Sequence, residues 1–215
     1  MKYKACLFDL DGVLVDTAVY HFQAWKILGK HFDFELSHEQ NEELKGISRV
    51  ESLDKILHWA HFQATQEQKD RWLKEKNETY LELIYHMNPS EILPGVISFL
   101  HQLKEQGYLI ALGSASKNAR IILEKTGLMT WFNAIIDGNV VTKSKPDPEV
   151  FLKGAEALGC SAAACIVFED AQAGIDAAKA GGMKVVGVGS PTILQGADKV
   201  ISSFTELQVS ELLLL

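Results

Sequence analysis

The chain has 215 residues, of which 47% are hydrophobic, and it carries a formal net charge of -7. That length and composition allow a packed interior in one domain, or in a core with a smaller insertion. The acidic balance and the lack of a Lys/Arg tract argue against a general nucleic-acid surface or an anionic membrane surface. An anionic ligand would therefore need a local basic pocket.

The cysteines and the start of the chain indicate the compartment. Cys6, Cys160 and Cys165 have no spacing typical of a metal site, and two of them lie in apolar runs, so we expect reduced thiols and a cytoplasmic protein. No secretory signal is visible, because a cleaved leader would remove the acidic motif at Asp9, and no apolar stretch approaches the length of a membrane span. With its polar residues gathered at one cleft, the chain is expected to be a monomer.

Apolar spacing divides the chain into three parts. The first is a short strand over residues 3–8, and the second, up to residue 87, contains only helices. These helices are predicted over 18–30, 38–45, 50–60 and 66–87, and capping boxes at Ser37 with Gln40 and at Thr65 with Gln68 open two of them. In the third part, strands predicted over 108–113, 133–137, 164–168 and 184–188 alternate with helices over 96–106, 117–127, 148–158 and 171–181.

Alternating strands and helices are typical of a parallel sheet wrapped by helices, so the predicted fold class is α/β with a Rossmann-like sheet core. The all-helical stretch is then an insertion after the first strand. We predict a core domain of residues 1–15 plus 88–215 and a small helical cap domain of residues 16–87. The cap would emerge at the carboxyl end of the sheet, where ligands bind in open α/β folds.

The first strand ends in Phe8-Asp9-Leu10-Asp11-Gly12, with two carboxylates two residues apart. A carboxylate at the end of a buried strand is costly unless a positive group compensates it, and a divalent metal ion is the simplest compensation. A neutralised Asp9 could attack an anionic phosphorus as a nucleophile, and Asp11 could then transfer protons. The tetrapeptide alone fits an acidic turn equally well, so the rest of the chain has to decide.

Three more polar clusters stand where predicted strands end. Ser114-Ala115-Ser116-Lys117-Asn118 offers donors to phosphate oxygens, although it also fits an ordinary helix cap. Lys145 lies in a proline-stiffened loop, where a solitary lysine is usually only solvated, and Glu169-Asp170 is an acidic pair suited to a hard cation. Because parallel strands bring their carboxyl ends together, one pocket is predicted to contain Asp9, Ser114, Lys145 and Asp170.

This ordered set of motifs closely resembles the haloacid dehalogenase superfamily of phosphotransferases. The resemblance implies that Asp9 is the phosphorylated nucleophile and Asp11 the general acid/base, while Ser114 and Lys145 hold the transferring phosphoryl group. It also implies Mg²⁺ as the cofactor, held by Asp9, by the main-chain carbonyl of Asp11 and by the acidic pair Glu169 and Asp170. The resemblance spans essentially the whole chain, and the helical insertion matches the subclass with a cap after the first motif.

The predicted cap contains residues that distinguish a phosphatase from a mutase. His21 and Trp25 share one helical face, although both also fit a packing surface. In Lys45-Gly46-Ile47-Ser48-Arg49, the glycine gives backbone access and the arginine offers a bidentate fork for phosphate, with Ser52 on the same helical face. These features predict a second phosphate site on the cap. A simple phosphatase needs one phosphate pocket, whereas a mutase with a bisphosphate intermediate needs two.

Together with Lys76-Asn77 and the cluster from Ser114 to Asn118, these motifs resemble the β-phosphoglucomutase family within that superfamily. The resemblance implies an isomerase that interconverts β-glucose 1-phosphate and glucose 6-phosphate through β-glucose 1,6-bisphosphate, with small sugar phosphates as its partners. It also implies that Arg49 grips the phosphate that is not transferred. The other substrate-binding residues that it implies are Asp11, Thr17, His21, Trp25, Lys45, Gly46, Ile47, Ser52, Lys76, Ser114, Ala115, Ser116, Lys117 and Asn118.

Two alternatives stay open at the level of sequence. One is a sugar-phosphate or phosphoglycolate phosphatase on the same fold, against which the cap residues Arg49 and Ser52 argue. The other is a non-catalytic sugar-phosphate binder. Loss of an acidic residue at position 9 or 11 would have indicated such a binder, and both positions hold aspartate.

Overall fold

The structure is a computed structural model that describes residues 2–215. Met1, the first residue of the predicted core segment, lies outside the described residues. The described chain forms a six-stranded sheet in which all neighbouring strands are parallel. Its strands are β1 (Ala5–Phe8), β2 (Leu109–Gly113), β3 (Ala134–Ile136), β4 (Cys165–Glu169), β5 (Lys184–Val188) and β6 (Lys199–Ile201). They lie in the order β3-β2-β1-β4-β5-β6.

The sheet confirms the parallel α/β class. Every residue of β1 and β4 is buried, which explains why β1 and the first four residues of β4 are continuous apolar runs rather than alternating ones. Phe8 at the end of β1 lies opposite Leu112 of β2 and Phe168 of β4, so the residues that follow these three strands emerge at one edge. β6 was not among the predicted strands, since only two of its three residues, Val200 and Ile201, are apolar.

Four α-helices lie after β1 and before residue 88, in the predicted insertion. They are α1 (Ala18–Gly29), α2 (His38–Glu42), α3 (Arg49–Trp59) and α4 (Gln66–Ile84). The predicted capping boxes at Ser37 and Thr65 are present, and Ser48 with Glu51 forms a further one at the start of α3. The predicted helices over 38–45 and 66–87 were too long at their carboxyl ends, since α2 ends at Glu42 and α4 at Ile84.

Four more α-helices cover the two faces of the sheet. They are α5 (Val96–Glu105), α6 (Ala119–Thr126), α7 (Glu149–Ala157) and α8 (Gln172–Ala180). Apolar residues of α5 and α6 pack with Phe8 and Phe168 on one face, while those of α7 and α8 pack with Leu7 and Val167 on the other. The result is a three-layer core in which helices sandwich the sheet.

Helices α1, α3 and α4 share an apolar cluster of their own, which includes Trp25, Leu53, Ile56 and Trp72. This separate cluster supports the predicted division into core and cap, although Tyr80 and other residues near the end of α4 pack into the core cluster. The division at residues 15 and 88 stays a prediction. Among residues 2–215, none of the helices combines the length and the apolar composition that crossing a bilayer requires.

Candidate active site

A buried lysine joins two of the strand ends. Asp9 follows β1 and Glu169 ends β4, and the Nζ atom of Lys145 lies 2.6 Å from Asp9 Oδ1 and 2.6 Å from Glu169 Oε1. All three residues are buried: Asp9 is 5% exposed, Glu169 is 0% exposed and Lys145 is 1% exposed. Burial alone would lower the pKa of Lys145, but the two carboxylates raise it above its ordinary value. The lysine is therefore a fixed cation beside Asp9.

Asp170 completes an acidic cluster that fits a divalent cation. One carboxylate oxygen each from Asp9, Glu169 and Asp170 lies within 4.8 Å of the others. Burial, and then the neighbouring Glu169, raises the pKa of Asp170 well above its ordinary value, so this carboxylate lacks full compensation among the described side chains. An all-oxygen donor set with excess negative charge suits a hard cation such as Mg²⁺. The predicted metal-binding role of Asp11 stays a prediction.

Gly12 makes room for Asp170. Its φ angle is +75°, and a Cβ atom built at this position would lie 2.1 Å from Asp170 Oδ2. A side chain at residue 12 would thus be strained by its backbone and would collide with the carboxylate. The glycine in the motif Asp9 to Gly12 is explained by the acidic cluster rather than by a turn alone.

Asp11 connects the core to the first helix of the insertion. Thr17 is the N-cap of α1, but its hydroxyl does not cap the helix and instead donates a hydrogen bond to Asp11 Oδ1. His21 Nε2 lies 3.9 Å from the same oxygen. Burial, and then the Asp9 carboxylate, raises the pKa of Asp11 to about 6. Asp11 can therefore exchange a proton near neutral pH, as a general acid or base requires.

Among residues 2–215, the buried Lys76 of the insertion forms no ion pair with a carboxylate. Lys76 is 2% exposed, its Nζ atom lies 2.8 Å from His21 Nδ1, and it lies 4.7 Å and 4.8 Å from the ring centres of Trp25 and Tyr80. Burial, and then Arg49, lowers the pKa of Lys76 well below its ordinary value. Burial, and then Lys76, likewise lowers the pKa of His21, so the imidazole is neutral at pH 7. This arrangement attracts an anion.

Residues 114–118 form a loop rather than the first turn of a helix, because α6 begins only at Ala119. The Ser114 hydroxyl is buried and accepts a hydrogen bond of 3.1 Å from the amide of Ser116. The side-chain amide of Asn118 donates to the side-chain carbonyl of Asn77 at 2.8 Å, which links this loop to α4. The helix predicted over 117–127 was thus two residues too long at its start.

The segment 137–139, which the sequence analysis left without a role, supports that loop. The amide of Gly138 donates to the carbonyl of Ser116 at 3.1 Å, and the Asn139 side chain donates to the carbonyl of Lys117 at 3.0 Å. A Cβ atom at Gly138 would lie 2.3 Å from the carbonyl oxygen of Ala115. Only a residue without a side chain allows this close approach.

A cavity of about 760 Å³ lies between the insertion and the carboxyl edge of the sheet. All predicted site residues line it except Thr17 and Glu169. Thr17 contacts Asp11, and Glu169 contacts Lys145, without reaching the cavity wall. The structure also places residues on its wall that were not predicted. Of these residues, Glu51 could have been found in the sequence, because it forms a capping box with Ser48. The loop residues before Lys145 lie on the wall only because of the path of the folded chain, which the sequence does not show. These additional residues include Ser48, Glu51, Thr142, Lys143 and Ser144.

Comparisons with known proteins agree with this geometry. The model of the haloacid dehalogenase-like hydrolase family matches residues 6–188. A β-phosphoglucomutase of Bacillus subtilis is 44% identical over 206 residues, which are 95% of this chain and 91% of that protein. A crystal structure of a β-phosphoglucomutase from Clostridium difficile superposes with a TM-score of 0.94 at 40% identity and covers 98% of this chain and 96% of its own. A phosphorylated carbohydrates phosphatase of Thermotoga maritima is 28% identical over 84% of this chain and 82% of its own length.

Proposed function

The chain belongs to the haloacid dehalogenase-like hydrolase family. From that membership, and from a cavity with cationic side chains on both the core wall and the insertion wall, we propose that it catalyses the β-phosphoglucomutase reaction. This isomerase reaction interconverts β-D-glucose 1-phosphate and glucose 6-phosphate through β-glucose 1,6-bisphosphate. The similarity to the B. subtilis and C. difficile enzymes over nearly the whole chain supports the assignment.

The observation that carries the proposal is the presence of cations on opposite walls of one cavity. Lys145 stands beside Asp9 on the core wall, while Arg49 and the buried Lys76 stand on the wall formed by α3 and α4. A sugar bisphosphate carries one phosphate at each end. The two walls can therefore bind both phosphates at once, which a phosphatase acting on a monophosphate does not need.

The core wall performs the transfer. Asp9 attacks the phosphorus of the bisphosphate, the phosphorus–oxygen bond to the sugar breaks, and an aspartyl phosphate forms with release of a sugar monophosphate. Lys145 and the Ser114 hydroxyl stabilise charge on the phosphoryl oxygens during this step. Glu169 holds Lys145 from the side away from the cavity, and this contact fixes the position of the ammonium.

Asp11 moves the proton. With a pKa raised to about 6, it can give a proton to the sugar oxygen that leaves phosphorus and take one from the sugar hydroxyl that attacks the aspartyl phosphate. Its hydrogen bond from Thr17 couples its orientation to the start of α1. We propose that closure of the cap thereby aligns the acid/base group when substrate is present.

Mg²⁺ is the proposed cofactor, and when bound it would neutralise the acidic cluster and part of the phosphoryl charge. The residues proposed to hold it are Asp9, Glu169, Asp170 and the main-chain carbonyl of Asp11. The buried oxygen cluster of three of these residues supports this assignment.

Exclusion of water is what makes the reaction a mutase reaction rather than a hydrolysis. An aspartyl phosphate that met water would give inorganic phosphate. Contacts such as Asn77 with Asn118 at 2.8 Å and Lys45 with Asp170 at 3.5 Å join the insertion to the core, and closure of the cap over bound substrate would exclude water from the reacting groups.

We also propose that the enzyme works as a monomer in the reducing cytoplasm. The three cysteines form no disulfide, and two of them are buried in the core. The net charge of -7 is consistent with a protein that does not bind nucleic acid or anionic membranes.

The test is a coupled assay of pure protein with Mg²⁺, β-glucose 1-phosphate and a catalytic amount of β-glucose 1,6-bisphosphate. We expect glucose 6-phosphate from the β anomer, and loss of its formation by at least about 10⁴-fold in Asp9→Asn because the nucleophile is gone. Asp70→Asn, on the exposed side of α4, should retain wild-type activity. Release of inorganic phosphate without glucose 6-phosphate would favour the phosphatase, and no turnover at all would favour the binder.

A further inference from the structure

A second cavity of about 410 Å³ adjoins the one described above. The two cavities share Ala18, Lys45 and Asp170, so Asp170 can be approached from both sides. The second cavity lies against Gly12 and against the segment after β5, and the exposed residues Asp16 and Glu42 form part of its wall. It therefore opens to solvent on a route separate from the substrate cavity.

The two cavities have opposite charge. The substrate cavity has six cationic side chains on its wall, from Lys45, Arg49, Lys76, Lys117, Lys143 and Lys145, against four carboxylates, from Asp9, Asp11, Glu51 and Asp170. The second cavity has three carboxylates, from Asp16, Glu42 and Asp170, against the single ammonium of Lys45. A cleft with one sign of charge on its wall concentrates ions of the opposite sign. The wall of the larger cavity thus has an excess of cationic side chains, whereas the wall of the smaller one has an excess of carboxylates.

Lys45 stands where the two cavities meet. Its Nζ atom lies 2.9 Å from Glu42 Oε2 and 3.5 Å from Asp170 Oδ2, so one ammonium is shared between the wall of the second cavity and the acidic cluster. Lys45 is on the loop after α2 and is only half-buried, so its long side chain can swing toward Glu42 and leave Asp170 open to the second cavity.

From these observations we propose that the divalent cation reaches the acidic cluster through the second cavity, past Asp16 and Glu42, while the sugar phosphate enters through the larger one. The proposal rests on the metal site of the proposed function. It explains why carboxylates outnumber ammonium groups on the wall that Asp170 shares with Asp16 and Glu42. It also means that the cation can exchange while the substrate cavity is occupied.

The experiment measures the association rate of Mn²⁺, used in place of Mg²⁺, with the full chain by rapid mixing and detection of free Mn²⁺ by electron paramagnetic resonance. The test variant is Asp16→Asn with Glu42→Gln. The matched control is Glu35→Gln with Glu43→Gln, which removes two exposed carboxylates of the insertion that do not line the second cavity. Both variants change the net charge of the chain equally.

We expect the test variant to bind Mn²⁺ about three- to tenfold more slowly than the control at low ionic strength, and the difference to shrink at high salt because the attraction is screened. With glucose 6-phosphate saturating the substrate cavity, the wild-type rate should stay within about twofold of its value without sugar phosphate. Equal rates for the test and control variants, or a large drop when glucose 6-phosphate is bound, would overturn the route.

Equilibrium binding separates this proposal from the one on which it rests. One Mn²⁺ bound per wild-type chain, lost in Asp170→Asn, supports the metal site regardless of the rates. If wild-type protein binds no Mn²⁺, the metal site fails and the route fails with it. If it binds one Mn²⁺ and the charge variants show no rate effect, only the route fails.

Discussion

At the scale of one residue, Lys76 is buried without a carboxylate partner among the described residues, which leaves its ammonium available to bind an anionic ligand. Burying an ammonium without a carboxylate is costly, and the lowered pKa of Lys76 expresses that cost. Aromatic rings at 4.7 Å and 4.8 Å offset part of it through cation–π attraction. A carboxylate in their place would stabilise the empty protein but would compete with a phosphate. The site thus gives up folding stability for anion affinity.

Arg49→Ala tests the role of this cationic wall. We expect kcat/KM for β-glucose 1-phosphate to fall by about 100-fold, or about 2.7 kcal/mol, since one clamp on the second phosphate is lost. The affinity for Mn²⁺ should change by less than about twofold, because Arg49 is not among the proposed ligands of the cation. Steady-state kinetics and metal titration measure the two effects.

Arg71→Ala is the matched control for that substitution, because Arg71 is an exposed residue of α4 that does not line the cavity. It should leave both kcat/KM and Mn²⁺ affinity unchanged. A parallel loss of turnover and of metal affinity in Arg49→Ala would contradict a clamp on the distal phosphate.

At the scale of elements, the site depends on how one loop supports another. The loop 114–118 contributes donors to the cavity, and its backbone is held by Gly138 and Asn139 rather than by its own helix. Asp137, which precedes them, is itself held by Arg120 of α6 at 3.1 Å. The residues that follow the short strand β3 therefore position the loop 114–118, which is proposed to bind phosphate.

Gly138→Ala should disturb that support. The new methyl group would meet the Ala115 carbonyl, and we expect the displaced loop to raise KM for the sugar phosphate about tenfold with a smaller change in kcat. Gly159→Ala is the control: at a φ of +65° the alanine strains the backbone, but its Cβ atom meets nothing within 4 Å and residue 159 does not line the cavity, so KM should stay unchanged. An unchanged KM in Gly138→Ala, measured on folded protein, would show that the loop holds its position without this contact.

The last two strands are joined by Asp198, which precedes β6 and accepts hydrogen bonds from Lys179 of α8 and from Lys184 and the Val185 amide of β5. Partial burial would raise the pKa of Asp198, but these hydrogen bonds outweigh it and lower the pKa to about 2. A pKa that is lower in the folded chain means that the ionised carboxylate stabilises the fold. This stabilisation is present above about pH 4 and is lost as the pH falls toward 2.

Asp198→Asn should therefore lower the free energy of unfolding by about 1–2 kcal/mol at pH 7, and the difference from wild type should vanish near pH 2. Urea unfolding at a series of pH values measures it, with Glu124→Gln, an exposed residue of α6, as the control that should show little effect. A difference that persists at low pH would mean that shape rather than charge accounts for the role of Asp198.

For the whole molecule, the order of polar clusters along the chain was enough to predict the site. Asp9, Ser114, Lys145 and Asp170 are up to 161 positions apart, yet a parallel sheet brings strand ends together, and the structure places all four on one cavity. Residues whose chemistry is in their side chains were thus accessible from the sequence. The cap cation Arg49 was predicted for the same reason.

The features that were not predicted from the sequence depend on the backbone or on contacts between residues far apart in the chain. Gly138 supports the loop with an amide that every residue except proline has, so its identity gave no signal until the close approach of the Ala115 carbonyl was visible. The three residues of β6 form a strand only because β5 provides an edge to pair with. The second cavity exists only once β1, the insertion and β5 are placed together.

In the proposed mechanism, the cavity between cap and core directs the phosphoryl group to sugar rather than to water. The most direct measurement follows the label from ³²P-labelled β-glucose 1,6-bisphosphate during turnover of β-glucose 1-phosphate with Mg²⁺. We predict that transfer to sugar exceeds release as inorganic phosphate by at least about a hundredfold, which corresponds to about 2.7 kcal/mol between the two barriers. Label that accumulates mainly as inorganic phosphate, at sugar concentrations that saturate the enzyme, would contradict the account and identify a phosphatase.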